Sequence, residues 1–280
     1  TLSYGDYDKF YSNIVPSSTV DTSAGTVELT AYSSQTLREN LFSQTDLIWE
    51  TALGGMQHTL LFGLEYGEQT SDNLRKQGQF AGTGGAERVN VSLADRGDST
   101  QVDFGRTTRQ NRNELNVVSV YAQDQVAVTD RLELIAGLRF ESFDLDFIDT
   151  LGADFSRTDE FVSPRLGATF AINDAVSVYG GWSRAFLPQS GEQFSSLNAS
   201  RAALDPEEFE NFEIGLKVQP MDELLFTAAL FQLDRDNTRA PGLVAGTTVL
   251  TGAQRSEGLE LSLQGEVRDG WDLVAAAAFQ

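Results

Sequence analysis

Apolar and polar residues alternate with a period of two along most of the chain, and a helical period is nearly absent. The alternation is clearest in residues 57–66, 210–218 and 258–265, where an apolar side chain fills every second position. A strand with one face against lipid and the other toward a wet lumen produces this pattern. In residues 115–128 either phase puts a polar residue on the apolar face, so the orientation of that strand stays open.

The alternation predicts which side chains share a face, because successive residues of a strand point to opposite sides. We expect one face to carry Leu60, Phe62, Leu64, Phe212, Ile214, Leu216, Leu259, Leu261 and Leu263, and the other to carry Glu65, Glu213, Lys217 and Glu260.

Short and long connections also alternate along the chain. Tight turns are predicted at residues 53–56, 129–131, 173–175, 220–222 and 268–270, and longer polar segments at 14–25, 70–111, 148–157, 187–206 and 237–253. Outer-membrane barrels have short periplasmic turns and long external loops. The chain is therefore predicted to be all-β, an antiparallel up-and-down transmembrane β-barrel.

The pattern places about eleven strands. They are 1–13, 26–53, 57–69, 112–128, 131–147, 158–172, 175–186, 207–219, 223–236, 254–267 and 271–280. We interpret 26–53 as one long strand with a bulge, since the alternative of two strands joined near residues 38–40 would break the parity of the connections. Single-chain bacterial barrels use an even number of strands, so residues 1–280 are expected to be part of one barrel domain.

Composition narrows the function further. The net charge is −21, from 41 acidic and 20 basic residues, and this disfavours nucleic acid as a partner, because phosphate contacts need a basic face. Cysteine is absent, which excludes a thiolate metal site or a cysteine nucleophile. His58 is the single histidine, which leaves almost no material for a Ser/His/Asp triad or a multi-histidine metal site. The longest apolar run, 273–279, is far shorter than the roughly 20 residues of a spanning helix.

Several motifs carry a family resemblance. They are GGMQHTLLFGLEYG at 54–67, VYAQDQ at 120–125 with LIAGLRF at 134–140, SPRLG at 163–167 with YGGWSRAFLP at 179–188, PEEFENFEIGLK at 206–217 and RSEGLEL at 255–261. In this order and spacing the chain resembles TonB-dependent siderophore receptors over nearly its whole length. The stretches YGDYDKFYSN at 4–13 with Pro16, NLFSQTDL at 40–47 and TSDN at 70–73 resemble the catecholate-siderophore branch.

The resemblance implies a 22-stranded barrel with a plugged lumen, of which this chain would hold about half the strands. It implies an N-terminal plug domain and a TonB box outside this chain, and energy supplied by TonB with ExbB and ExbD. The expected partners are a ferric siderophore, outer-membrane lipid and lipopolysaccharide. No cofactor is implied, because iron enters only within the transported siderophore, and binding plus gating needs no catalytic group.

Ligand recognition is expected in the external segment 70–111, the longest of the predicted loops. Together with Arg112 this segment has seven basic residues against five acidic ones, in a chain that is acidic overall. A ferric catecholate is an anion with aromatic rims. Guanidinium groups can bind it through their positive charge, through forked hydrogen bonds and by stacking on the rings. The candidate ligand-binding residues are Arg75, Arg88, Arg96, Arg106, Arg109 and Arg112, followed by Arg184, Phe186 and Arg201 beside another loop.

Other interpretations remain open on these residues. The arginines of 70–111 fit a solvated loop or a bridge to lipopolysaccharide phosphates, and those near 184–201 fit packing in the wall. A passive porin or a soluble all-β protein would also alternate, and the receptor's substrate could be cobalamin or an oligosaccharide. Haem uptake is disfavoured because His58 lies beside a predicted periplasmic turn.

Overall fold

In the computed structural model the chain forms a single antiparallel sheet. The structure describes residues 1–94, 101–189, 197, 199–221, 223–244 and 247–280. The strands are β1 Leu2–Pro16, β2 Thr26–Leu53, β3 Met56–Phe80, β4 Arg88–Ser92, β5 Val102–Ala127, β6 Leu132–Asp149, β7 Phe155–Asn173, β8 Val176–Leu187, β9 Glu207–Met221, β10 Leu224–Pro241, β11 Thr248–Arg268 and β12 Trp271–Phe279, with one short helix, α1 Ala199–Ala202. Among the described residues no helix is long and apolar enough to cross a membrane.

The strands follow one another through the sheet in sequence order, as an up-and-down sheet requires. The order is β1-β2-β3-β5-β6-β7-β8-β9-β10-β11-β12, and the sheet ends at β1 and β12. The predicted topology is therefore confirmed. The addition is β4, which pairs with Thr26–Thr30 of β2 outside the main path and was not predicted.

Tight turns close one end of the sheet, which we call the turn end; the opposite end, with the longer connections, is the loop end. Gly54 and Gly55 have φ angles of 60° and 84°, and Gly270 has 76°, a left-handed conformation that glycine adopts without strain. The strands that end at the loop end are joined by the longer segments 17–25, 81–101, 150–154, 188–206 and 242–247. The alternation of short and long connections is confirmed.

The pairing registers align the apolar residues of all the strands on one side of the sheet, because residues directly opposite each other in a ladder point to the same side. Leu64 lies opposite Val120, which lies opposite Phe140, and Ile214 lies opposite Leu230. The nine apolar residues predicted to share a face all lie on this apolar face. Glu65, Glu213, Lys217 and Glu260 all lie on the other, the polar face, so the predicted sidedness is confirmed.

The register also settles the phase of β5. Ser119 lies on the polar face, opposite Glu65 and Glu141, which puts Val118, Val120 and Asp124 on the apolar face. Asp124 is tolerated there because the Nδ1 atom of His58 lies 2.8 Å from its Oδ2 atom.

Two predictions about strand length need correction. Residues 26–53 form one strand, as predicted, but β2 pairs with β1 and β3 without a register shift, so the predicted bulge is wrong. The segment 70–111 is largely strand rather than loop, because β3 continues to Phe80 and β5 begins at Val102. Cross-strand hydrogen bonds between polar side chains maintain this extension: Thr36 donates to Asn73, and Asn73 donates to Asn111, each at 3.0 Å.

Tyrosines lie flat over glycines on the polar face. A Cβ atom added to Gly63 would lie 2.0 Å from the ring of Tyr121, and one added to Gly215 would lie 2.4 Å from the ring of Tyr179. The Tyr179 hydroxyl donates to Glu213 at 2.7 Å, and that of Tyr121 donates to Asp46. Glycine at these two positions thus lets an aromatic ring rest on the neighbouring strand.

A compact apolar cluster covers the polar face at the loop end. Its buried members are Leu115, Phe143, Leu145, Phe147, Phe161 and Leu197. Leu197 comes from the connection between β8 and β9, so at this residue the connection packs against the polar face of the sheet. Arg157, 7% exposed in its side chain, anchors this connection by donating to the carbonyl oxygens of Arg201 at 3.0 Å and Leu204 at 2.6 Å.

Candidate functional site

Positively charged and aromatic side chains converge on the polar face at the loop end of β1, β2, β3 and β5. We call this group the arginine–tyrosine cluster: Lys9, Tyr11, Tyr32, Arg75 and Arg109. The registers bring it together, since Arg75 lies opposite Arg109 on one side and Ser34 on the other, and Ser34 lies opposite Tyr11. The cluster thus forms only when four separate strands pair in this register.

Aromatic contacts hold Arg75 in place. Its guanidinium carbon lies 3.8 Å from the centroid of the Tyr32 ring, a cation–π contact. Tyr11 meets Tyr32 edge to face at 6.1 Å and 82°, and Lys9 Nζ lies 5.3 Å from the Tyr11 ring. The Tyr32 hydroxyl accepts a hydrogen bond of 3.0 Å from Asn13. The half-buried guanidinium is therefore positioned before any ligand arrives.

Arg109 adds a second guanidinium to the same surface. It is exposed, and within the described part of the chain it makes no ion pair. Like charges directly opposite each other on a sheet destabilise the pair of strands. The Arg75–Arg109 pair therefore favours an anion that contacts both side chains.

Two of the other arginines predicted in 70–111, Arg88 and Arg106, are engaged by carboxylates. Arg88 lies 3.1 Å from Glu28, and Arg106 donates two hydrogen bonds to Glu87, at 2.5 and 2.7 Å. The hydrogen bond from Arg106 lowers the pKa of Glu87 below its ordinary value.

Arg112 occupies a different surface from the cluster. It lies 3.1 Å from Asp72 and 2.7 Å from Glu114, on the same side of the sheet as Val118 and Val120. Arg96 lies outside the described residues.

The candidates of the second loop also have partners. Arg184 lies 2.9 Å from Glu208, and the ring of Phe186 stacks on that of Phe161 with centroids 5.3 Å apart and planes 10° from parallel. Arg201 lies in α1. Packing in the wall therefore accounts for Phe186 in this structure.

Sequence reasoning did not select Lys9, Tyr11 and Tyr32. The signal was present, because Lys9, Tyr11 and Asn13 alternate along β1 and so share one face. The missing information was the register that brings that face beside Arg75.

Among the residues that the structure describes, the turn end offers no comparable site. His58 lies there, paired with Asp124 on the apolar face. Across the described ranges no three histidine, aspartate or glutamate side chains gather in a way that could hold a metal ion.

Comparison with known proteins places this geometry in a family. The protein-family model described as "TonB dependent receptor-like, beta-barrel" matches residues 1–280. The probable TonB-dependent siderophore receptor PiuA of Acinetobacter baumannii is 27% identical over 264 residues, which cover 86% of this chain and 35% of PiuA. The catecholate siderophore receptor Fiu of Escherichia coli K12 is 25% identical over 289 residues, covering 91% of this chain and 37% of Fiu.

Solved structures of such receptors share the fold. The closed form of Fiu, a ferric-catecholate import receptor of E. coli K12, aligns with a TM-score of 0.77 at 22% identity, over 99% of this chain and 43% of that one. The siderophore receptor PiuA of A. baumannii aligns with a TM-score of 0.79 at 23% identity, again over 99% and 43%. The chain thus spans about a third of the length of the curated relatives it matches.

Proposed function

The chain belongs to the TonB-dependent receptor β-barrel family of the bacterial outer membrane, and we propose that the intact protein imports a ferric siderophore of the catecholate type. In this assignment the apolar face contacts lipid, the polar face lines the lumen, the turn end is periplasmic and the loop end is external.

The observation that carries the proposal is the Arg75–Arg109 pair beside Tyr32. A ferric catecholate presents negative charge at its oxygens and flat aromatic rings around them. Two guanidinium groups supply forked donors and positive charge, and Tyr32 and Tyr11 supply ring faces and edges for stacking. The relationship to Fiu, a catecholate siderophore receptor, supports the same ligand class, and the relationship to PiuA supports a siderophore as the ligand.

Energy for import is proposed to come from TonB, with ExbB and ExbD, through parts of the protein outside residues 1–280. Outer-membrane lipid and lipopolysaccharide are the proposed surroundings of the apolar face. Arg112 lies on that side above the lipid-facing residues, where lipopolysaccharide phosphates are its proposed contacts.

The test is binding of a ferric catecholate siderophore to the intact receptor, measured by quenching of its intrinsic fluorescence. A charge-assisted hydrogen bond contributes about 1.5–3 kcal/mol, and about 1.4 kcal/mol is tenfold in affinity. Arg75→Gln with Arg109→Gln should therefore weaken binding on the order of 100-fold or more if the two effects add. The loss should shrink at high salt, because exposed charges are screened.

Arg112→Gln is the matched control, since it removes one arginine nearby on the opposite face of β5. It should leave the affinity within about twofold, because a contact from the other side of the wall is screened by solvent. Unchanged affinity in the double variant would remove the cluster as the ligand site. Equal losses in the double variant and the control would point to a general charge effect.

A further inference from the structure

The apolar face carries one ionic pair near the turn end, His58 with Asp124. The Nδ1 atom of His58 lies 2.8 Å from the Oδ2 atom of Asp124 and 3.1 Å from its Oδ1 atom. We call residues directly opposite each other across the strands a row. Among the described residues on the apolar face of β2, β3, β5, β6 and β7, the four rows from that of Val120 to that of Val126 contain no other ionisable side chain. The pair therefore interrupts an otherwise uncharged surface.

The hydrogen bonding of His58 determines the charge of the pair. Its side chain is 11% exposed, and its Nε2 atom is buried without a hydrogen-bond partner. A proton on Nε2 would be a buried donor without an acceptor, so we assign the tautomer that carries its hydrogen on Nδ1 and donates it to Asp124. The imidazole is then neutral, and the negative charge of the carboxylate is not compensated.

Asp124 faces outward without a cation. Its side chain is 34% exposed, and in the described part of the chain its ion-pair partner is His58 alone. An ionised carboxylate can accept about four hydrogen bonds. Holding it against hydrocarbon without a counter-charge costs free energy. A cation that donates hydrogen bonds from the membrane would offset this cost.

The depth of Asp124 indicates the source of such a cation. Its row is one above that of Val126, and rows of one face are about 6.6 Å apart along a strand, or about 5 Å of depth at a tilt of about 40°. Trp49, 56% exposed, lies in the same row, since both Trp49 and Asp124 lie opposite Leu60. Tryptophan is typical of the boundary between headgroups and acyl chains. The carboxylate therefore lies within reach of headgroups of the periplasmic leaflet.

We infer that Asp124, oriented by His58, binds the ammonium of an ethanolamine phospholipid in the periplasmic leaflet. A primary ammonium has three N–H donors and a full positive charge, which match the carboxylate oxygens that face outward beside the imidazole. The inference rests on the lipid-facing assignment of the apolar face in the proposed function. It does not depend on which ligand the receptor imports.

The test is the affinity of single phospholipids for the intact receptor in detergent, measured by native mass spectrometry. Phosphatidylethanolamine is compared with phosphatidylcholine, whose quaternary ammonium has no N–H donor, and with phosphatidylglycerol, which has no cation. The first phosphatidylethanolamine should bind the wild-type receptor at least about tenfold more tightly than either other lipid. Asp124→Asn should remove this preference.

Glu133→Gln is the matched control. Glu133 lies opposite Ala127 at the turn end, on the polar face, so this substitution removes the same charge from the other side of the wall. It should leave the preference for phosphatidylethanolamine within about twofold of the wild type, because that carboxylate does not face lipid.

The Tm separates a lipid site from a merely structural ion pair. A ligand of the folded state stabilises it, so added phosphatidylethanolamine should raise the Tm of the wild type more than that of Asp124→Asn. A structural role alone predicts one fixed difference in Tm between the two proteins, whichever lipid is added.

Several outcomes would overturn the site. One is a wild-type receptor that does not prefer phosphatidylethanolamine to both other lipids, which needs no variant to observe. Another is a preference that survives Asp124→Asn, and a third is an equal loss in Asp124→Asn and Glu133→Gln. Asp124→Asn should bind a ferric catecholate as the wild type does, so a failure of the lipid site and a failure of siderophore binding are distinguishable in the same samples.

Discussion

Replacing Ile214 by arginine tests which face of the wall meets lipid. Ile214 is 63% exposed on the apolar face, where Leu230 lies opposite it at 58% exposure. Same-face residues are about 6.6 Å apart along a strand, so Phe212 to Val218 cover about 20 Å. At a tilt of about 40° this is about 15 Å of the roughly 25 Å apolar band. Ile214 lies in the inner part of that span.

An arginine at that depth should cost about 2–4 kcal/mol of barrel stability, against about 0–1 kcal/mol near an interface. This corresponds to a roughly 30- to 1000-fold change in the folding equilibrium. The assay is guanidinium unfolding of the intact receptor in lipid vesicles, followed by the shift in gel mobility between folded and unfolded barrel.

The neighbouring residue supplies the control, because Glu213 lies on the polar face. Glu213→Arg introduces the same side chain at the same height but toward the lumen, where Lys217 is already accommodated. It loses the 2.7 Å hydrogen bond from Tyr179, which should cost about 1 kcal/mol. If the two arginines are equally costly, or Ile214→Arg is harmless, the assignment of faces is wrong.

Two further substitutions test how the wall is packed. Gly63→Val should destabilise the barrel by about 1–3 kcal/mol in an unfolding measurement, because its Cβ would meet the Tyr121 ring at 2.0 Å. Gly67→Ala is the control and should change the free energy of unfolding little, because its Cβ would find its nearest atom at 3.8 Å. Equal effects of the two substitutions would contradict the stacking of Tyr121 on Gly63. Arg157→Met should cost about 3–5 kcal/mol, because it leaves a nearly buried carboxylate without its partner. It should also speed hydrogen exchange in 199–206, and unchanged exchange there would show that other contacts hold the connection.

The local pattern of apolar and polar residues was sufficient to predict the topology of the sheet and which face each side chain points to. The side-chain period is a property of the strand itself, so Leu259, Leu261 and Leu263 report their face without knowledge of any partner. Glycine-containing turns such as Gly54-Gly55 are equally local.

Strand length and site geometry depend on partners far along the chain. Residues after Gln69 continue β3 because Asn73 and its neighbours form hydrogen bonds with β2 and β5. The polar composition of this segment, taken alone, is typical of a loop, so the sequence did not reveal the strand. The same holds for β4, whose partner lies at Thr26–Thr30. Arg75 meets Arg109 only through one particular register, so a charge count over 70–111 could indicate the region but not the pair.

The register shifts between β3 and β5 have a consequence for how such a wall can change in evolution. Arg75 pairs with Arg109 and Lys76 with Thr107, so Thr108 is an unmatched residue in β5. Gln77 pairs with Arg106 and Gly78 with Phe104, which leaves Gly105 as a second. One inserted residue reverses every side chain beyond it, and a second restores the original phase. Insertions and deletions in the loop-end parts of β3 and β5 should therefore accumulate in twos. Such pairs would lengthen or shorten the two strands at the loop end and leave the polar-face residues nearer the turn end unchanged.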